Sequence, residues 1–176
     1  MSAPPSHTFG QLVRSLLPLL TALLAVVLDL LPIPSSAPHS LFPFMTVCVF
    51  AYWTLVAPEL MTPLATFVVG LVLDAAGGLP LGLTAFALLI ARSALLTGER
   101  FLAAQPFPVL WGCFVLVALA VELVRWLVAC LYWERVLAVE PVLFQTCLTV
   151  ATYPVVSAVL SRLHQHVILP AHAARS

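Results

Sequence analysis

The stretch GLVLDAAGGLPLGLTAF, Gly70 to Phe86, lies in one of the most apolar parts of the chain, yet it holds an aspartate, a proline and four of the seven glycines. Helix breakers and an ionisable group concentrated in a hydrophobic sequence need a reason. The reason depends on the solvent this stretch sees, so the whole-chain composition has to be read first.

The 176 residues are 62% hydrophobic and 8% charged, and the mean hydropathy is +1.12. Soluble domains carry about 25% charged residues, because a folded surface has to be wetted. Seven acidic and seven basic side chains, the latter all arginine, are too few to cover a water-facing globule of this length. The composition therefore points to a polytopic membrane protein whose surface faces lipid. The net charge of zero supplies no basic field for phosphate backbones, which argues against a nucleic-acid partner. Cys48, Cys113, Cys130 and Cys147 lie apart in apolar runs and read as small buried hydrophobes. His164 and His166 read as part of a polar tail; no metal-ligand or cofactor pattern is present.

A spanning helix needs about 20 mostly apolar residues, with shorter ones tolerated inside a bundle. Six candidates follow, at 12–33, 41–57, 62–76, 81–96, 106–133 and 141–163. Together they form one domain, 12–163, between a short disordered N-terminus, 1–11, and a short cytoplasmic tail, 164–176. The first span is too long for a signal-peptide core, and PSSAP is a poor cleavage site, so it reads as a retained helix. Tyr52 and Trp53, near one end of the second span, read as interfacial anchors. Pro154 is expected to kink the sixth. The fold expected is all-α: six transmembrane helices in a single compact bundle.

Six spans put both termini on one side. With the N-terminus inside, Arg14, Arg92, Arg100, Arg162 and Arg175 fall at or near the inner face, and Arg125 and Arg135 towards the outer one. The excess of inward arginines favours N-in, C-in.

A charge at the bilayer centre costs roughly 2.5–3.5 kcal/mol on insertion scales, so each one calls for an explanation. At about 1.5 Å rise per residue, Asp29 lies about 25 Å and Glu122 about 24 Å from the inner face. Asp74 precedes the Gly77-Gly78 break and belongs to the same outer third. Arg125 follows Glu122 at i, i+3 on one helix face. Arg92 sits deeper, on the inner side. Asp29, Asp74, Glu122 and Arg125 thus form a candidate polar cluster, with Arg125 the expected partner of Asp74. Such a cluster can snorkel to headgroups, fix helix register or line a ligand site.

Gly70, Asp74 and Gly77-Gly78 recur along one helical stripe, and small residues on such a stripe permit close helix approach in membranes. Gly77-Gly78 suit a chain reversal, and Pro80 suits the first turn of the next helix. The opening stretch therefore reads as a tight helical hairpin.

These residues carry a resemblance. Gly70, Asp74, Gly78 and Gly82, with Pro80 in the turn, resemble the hairpin signature of the rod shape-determining protein MreD family, G-x-x-x-D-x-x-x-G-x-x-x-G. FPFMTVCVFAYWTLVAPE is similar to that family's second span, and Glu122 falls where it places an acidic residue in the fifth. The tail departs, having histidines and few basic residues. The resemblance implies a fold like that of the substrate-binding subunits of energy-coupling-factor transporters. It also implies a non-enzymatic scaffold of the bacterial inner membrane that binds MreC. Through MreC such a scaffold associates with MreB, the glycosyltransferase RodA and a class B penicillin-binding protein in lateral peptidoglycan synthesis.

Two other classes compete. A small-molecule or lipid-binding subunit of a transporter would use the cluster of Asp29, Asp74, Glu122 and Arg125 as its pocket. An intramembrane enzyme finds little support, since there is no nucleophile elbow and no HExxH.

Overall fold

Prolines and short polar breaks divide the apolar sequence into helices. The computed structural model describes residues 6–31, 43–77, 80–98 and 105–167, with side chains described from residue 16 to residue 165. Among them there are six helices and no strand: α1 (Ser6–Asp29), α2 (Met45–Val56), α3 (Pro63–Gly77), α4 (Leu83–Thr97), α5 (Phe107–Tyr132) and α6 (Glu140–Val167). The described residues are all-helical, as expected from the sequence.

Local chemistry sets several of the boundaries. Thr62 caps α3 through its hydroxyl, which accepts the Ala65 amide at 3.2 Å, and Pro63 fills the first helical position, where no amide is needed. Pro106 stands in extended backbone as the N-cap of α5. The end of α5 is a Schellman motif: the Glu134 amide donates to the Leu131 carbonyl and the Arg135 amide to that of Cys130. Glu134 itself takes the left-handed conformation, φ 50°, that glycine usually occupies there.

Three boundaries differ from the sequence reading. The first helix begins at Ser6, inside the segment expected to be disordered. Gly10 is the only breaker in 6–11, and its cost of about 1 kcal/mol is small beside the long helix it joins. At the other end α6 runs to Val167, so His164 belongs to the helix rather than to a tail. Pro80 is not in the first turn of α4. Its carbonyl accepts the Leu83 amide in a turn that precedes the helix.

The helices alternate in direction. The C-terminal ends of α1 and α3, the N-terminal ends of α2 and α4, the latter half of α5 and the start of α6 meet at one end of the molecule: hydrogen bonds join α1 and α6 to α2 and α3 to α4, Arg125 of α5 lies over Phe44, and Leu83 of α4 shares a cleft with α5. α2 packs against α1, α4 and α6, and α3 packs on α4 and α1. α2 is the central helix: every residue from Thr46 to Thr54 is buried. That placement corrects the reading of Tyr52 and Trp53 as interfacial anchors. Trp53 is fully buried and donates its indole N–H to Thr21 of α1 at 2.9 Å, with Tyr52 edge-on at 5.4 Å. An amphipathic ring with an internal hydrogen-bond partner gains more from core burial than from an interface.

Of the expected spans, Phe107–Tyr132 and Glu140–Gln165 are long and apolar enough to cross a membrane, with mean hydropathies of 2.3 and 1.6. The other apolar helical stretches with described side chains are shorter: Leu16–Asp29, Met45–Val56, Pro63–Gly77 and Leu83–Thr97. α2, at 12 residues, is only about 18 Å long, against about 30 Å of hydrocarbon. Both long helices and the shorter ones leave large apolar side chains exposed, among them Leu24, Leu64, Phe86, Leu116, Leu131 and Val155.

Pro154 lies inside α6. Lacking an N–H, it frees the carbonyl of Val150, four residues earlier. The Trp111 indole of α5 donates to that carbonyl at 3.1 Å. A neighbouring helix thus repairs the gap that the proline opens.

Candidate functional site

Neither α2 nor α4 has a Ser, Thr, Asp or Asn immediately before its first residue: the N-caps are Phe44 and Gly82, and neither makes a side-chain capping bond. Their first amides must find acceptors elsewhere, because a buried helix end without partners is costly. Aspartates from other helices supply them.

Asp74, on α3 and with no exposed surface, turns its carboxylate onto the start of α4. It accepts the Gly82 amide at 3.0 Å and the Thr84 amide at 2.9 and 3.0 Å, with the Ala85 amide at 3.5 Å. The negative group sits at the positive end of the helix dipole, where electrostatics favours it. Gly82 makes the approach possible through its left-handed backbone, φ 95°. Gly70, one turn before Asp74, touches the same strip of α4: a methyl added there would lie 2.4 Å from the Ala85 Cα. The hairpin is therefore closed by contact at Gly70 and by the carboxylate cap at Asp74.

Asp29 does the same for α2. Its two oxygens accept the Met45 amide at 2.8 Å and the Thr46 amide at 2.9 Å. The preceding amide, Phe44, donates to the Thr149 hydroxyl of α6 at 2.8 Å. Three consecutive amides at the head of the central helix are thus held by side chains of α1 and α6.

Arg125 and Glu122 form an ion pair on α5, 2.8 Å apart, and the guanidinium lies 4.4 Å above the Phe44 ring. Asp29, Glu122 and Arg125 are therefore gathered around the N-terminus of α2. Asp74 is not paired with Arg125, contrary to expectation. Its oxygens are taken up by backbone amides, and the Arg125 Nη1 is taken up by Glu122. Charge-assisted bonds from several amides satisfy a buried carboxylate without bringing a second charge out of water.

Arg92 works at the opposite end. It donates from Nε to the Met61 carbonyl at 2.8 Å and from Nη2 to that of Pro58 at 3.3 Å, bracing the loop between α2 and α3. Gly77 is helical and faces open space, so it takes no part in the close approach. Gly78 lies outside the described residues. His164 packs beside the Trp53 ring, 5.7 Å between centroids. Among the described residues no cluster of His, Cys, Asp or Glu could hold a metal ion.

Beside the ion pair a cleft of 590 Å³ opens between the second half of α5, the loop 133–139 and the start of α6. Glu122, Arg125, Trp126, Trp133, Arg135 and Gln145 line it, with Leu83 of α4 reaching in. The sequence reading found Glu122 and Arg125 but missed the rest, because only a loop folded back onto α5 brings them together. That fold-back is held at Leu137, whose amide donates to Cys130 Sγ at 3.3 Å and whose carbonyl accepts the Trp126 indole at 3.2 Å. Thr149 and Trp111 were also missed. For Trp111 a signal existed, since Pro154 implies an orphaned carbonyl at Val150.

Compared with protein-family models, curated proteins and solved structures, the chain matches none.

Proposed function

We propose that the chain is a non-enzymatic, multi-pass scaffold of a bacterial inner membrane, of the MreD kind, with six spans and both termini inside. It would bind MreC and thereby help to organise lateral peptidoglycan synthesis with MreB, RodA and a class B penicillin-binding protein. The observation that carries this reading is the α3–α4 hairpin. Gly70, Asp74 and Gly82, the described residues of the G-x-x-x-D-x-x-x-G-x-x-x-G signature, each have a distinct structural task there: contact, cap and reversal.

The apolar side chains exposed on α1 and α3–α6 support the membrane reading, since surface of that extent is stable only against lipid or protein. The shortness of α2 fits a central helix that other helices cover, as does the capping of its buried N-terminal amides by Asp29 and Thr149.

Co-expression with MreC and affinity purification from membranes test the scaffold. Retention of MreC by the native chain is expected, with loss in a Gly70→Ala variant that still inserts. Failure of the native chain to retain MreC overturns the reading. Alkaline phosphatase fusions test the topology: activity is expected after the 133–139 loop and none after the 57–62 loop.

A small-molecule or lipid-binding subunit is the second reading, favoured by one observation, the 590 Å³ cleft with two arginines in its lining. Uptake of a specific solute that requires the chain and an energising module would establish it over the scaffold.

A further inference from the structure

The cleft beside α5 gathers two guanidinium groups in its lining, those of Arg125 and Arg135. Of the carboxylates at this end, Asp29 is held by the Met45 and Thr46 amides and Asp74 by those of Gly82 and Thr84. Glu134 and Glu140 are exposed on the same loop and the start of α6, outside the lining. Within the lining, Glu122 alone faces Arg125 and Arg135, and it is already engaged with Arg125 Nη1. The lining itself thus carries two arginines and one carboxylate.

The arginines are held in different ways. Arg125 is pinned by its ion pair and by the Phe44 ring, and its Nε is buried without an acceptor among the described residues. Arg135 is exposed, and its backbone is fixed by the Schellman closure onto Cys130. That closure forces Glu134 into the left-handed region, φ 50°. Strain of this kind persists where surrounding structure over-determines it, and it clusters at ligand clamps. Both polar backbone groups of Leu137 are docked on α5, so the loop forms a fixed wall.

We infer that this cleft binds a phosphate-bearing anion between Arg125 and Arg135. Guanidinium groups suit the task because their planar donors match phosphate oxygens in pairs. Trp126 and Trp133 line the same cleft, and indole rings are favoured at the headgroup level of a bilayer. Val136, in the same lining, is an exposed apolar side chain that an acyl chain can meet. A phospholipid headgroup and a free phosphate ester share the recognised chemistry. The lipid as source rests on the membrane reading above, whereas the anion site does not, and neither depends on MreC.

The test is a titration of the full chain in neutral detergent, followed by tryptophan fluorescence. The probes are short-chain phosphatidylglycerol, short-chain phosphatidylcholine and inorganic phosphate. Saturable binding of phosphatidylglycerol is expected, tighter than that of phosphatidylcholine. Arg135→Gln should weaken it about tenfold, as expected for one charge-assisted contact, and Glu122→Gln should tighten it. Equal binding of the two lipids, or binding unchanged in both Arg125→Gln and Arg135→Gln, overturns the inference. Inorganic phosphate binding as tightly as phosphatidylglycerol, with the same dependence on Arg135, supports the anion site and assigns it to a soluble ester. Should Arg125→Gln fail to fold, Arg135→Gln decides, because Arg135 is exposed.

Discussion

The carboxylate of Asp74 on α3 accepts the backbone amide of Thr84 on α4 through both of its oxygens, at 2.9 and 3.0 Å. One helix supplies the cap that its neighbour's own sequence lacks, and Asp29 repeats the arrangement at the head of α2.

Asp74→Ala is expected to destabilise the fold by about 2–4 kcal/mol, combining the loss of a cap with buried amides left unpaired. Asp74→Asn keeps one acceptor oxygen and should lose about half as much. Thermal or denaturant unfolding in detergent, followed by circular dichroism, measures both. Equal stability of Asp74→Ala and the native chain would show that the cap contributes nothing.

Two glycines of the hairpin should behave in opposite ways. Gly70→Ala places a methyl 2.4 Å from the Ala85 Cα and 2.6 Å from its nitrogen, and overpacking of that kind costs about 1–3 kcal/mol. Adding Ala85→Gly should not rescue it, because the closest clash is with backbone. Gly77→Ala meets open space in a helix and should be neutral or stabilising by up to about 1 kcal/mol. The same unfolding measurement, applied to the three variants, separates contact from propensity.

Glu134→Gly relieves a left-handed backbone at the end of α5 and should stabilise by about 1 kcal/mol, whereas the β-branched Glu134→Val should destabilise. A higher melting temperature for valine than for glycine would contradict the Schellman assignment.

Trp111 and Pro154 should be coupled. Trp111→Phe leaves the Val150 carbonyl without its indole donor, a loss of about 1 kcal/mol or more. With Pro154→Ala in place, residue 154 regains an N–H that can reach the same carbonyl, and Trp111→Phe should become nearly silent. A double-mutant cycle reads the difference as an interaction energy. Additive effects would mean that the indole is dispensable to the proline break.

How far the sequence reaches differs from element to element. The six helices were legible from hydrophobic runs bounded by Pro, Gly and short polar breaks, and so was the hairpin around Asp74. The start of α1 and the end of α6 were harder to place, because polar residues such as His164 and Gln165 extend a helix without showing in hydropathy. Six crossings were expected from the hydrophobic runs, but apolarity does not fix helix length: α2, with 12 residues, is as apolar as a span and much shorter than one.

Composition and periodicity by themselves determined an all-helical chain with little charge and an apolar surface, because these properties depend on residue type and on spacing along one helix. Tertiary structure alone decided what each ionisable group does. The place of Asp74 near the end of α3 could be read from the Gly77-Gly78 break, yet its acceptor role could not, since arginine side chains stand out in a sequence while unsatisfied backbone amides carry no letter. Only the crossing of α3 and α4 at Gly70 brings the Asp74 oxygens onto Gly82 and Thr84. Only the folding of 133–139 onto α5 brings Arg135 into the same cleft as Arg125.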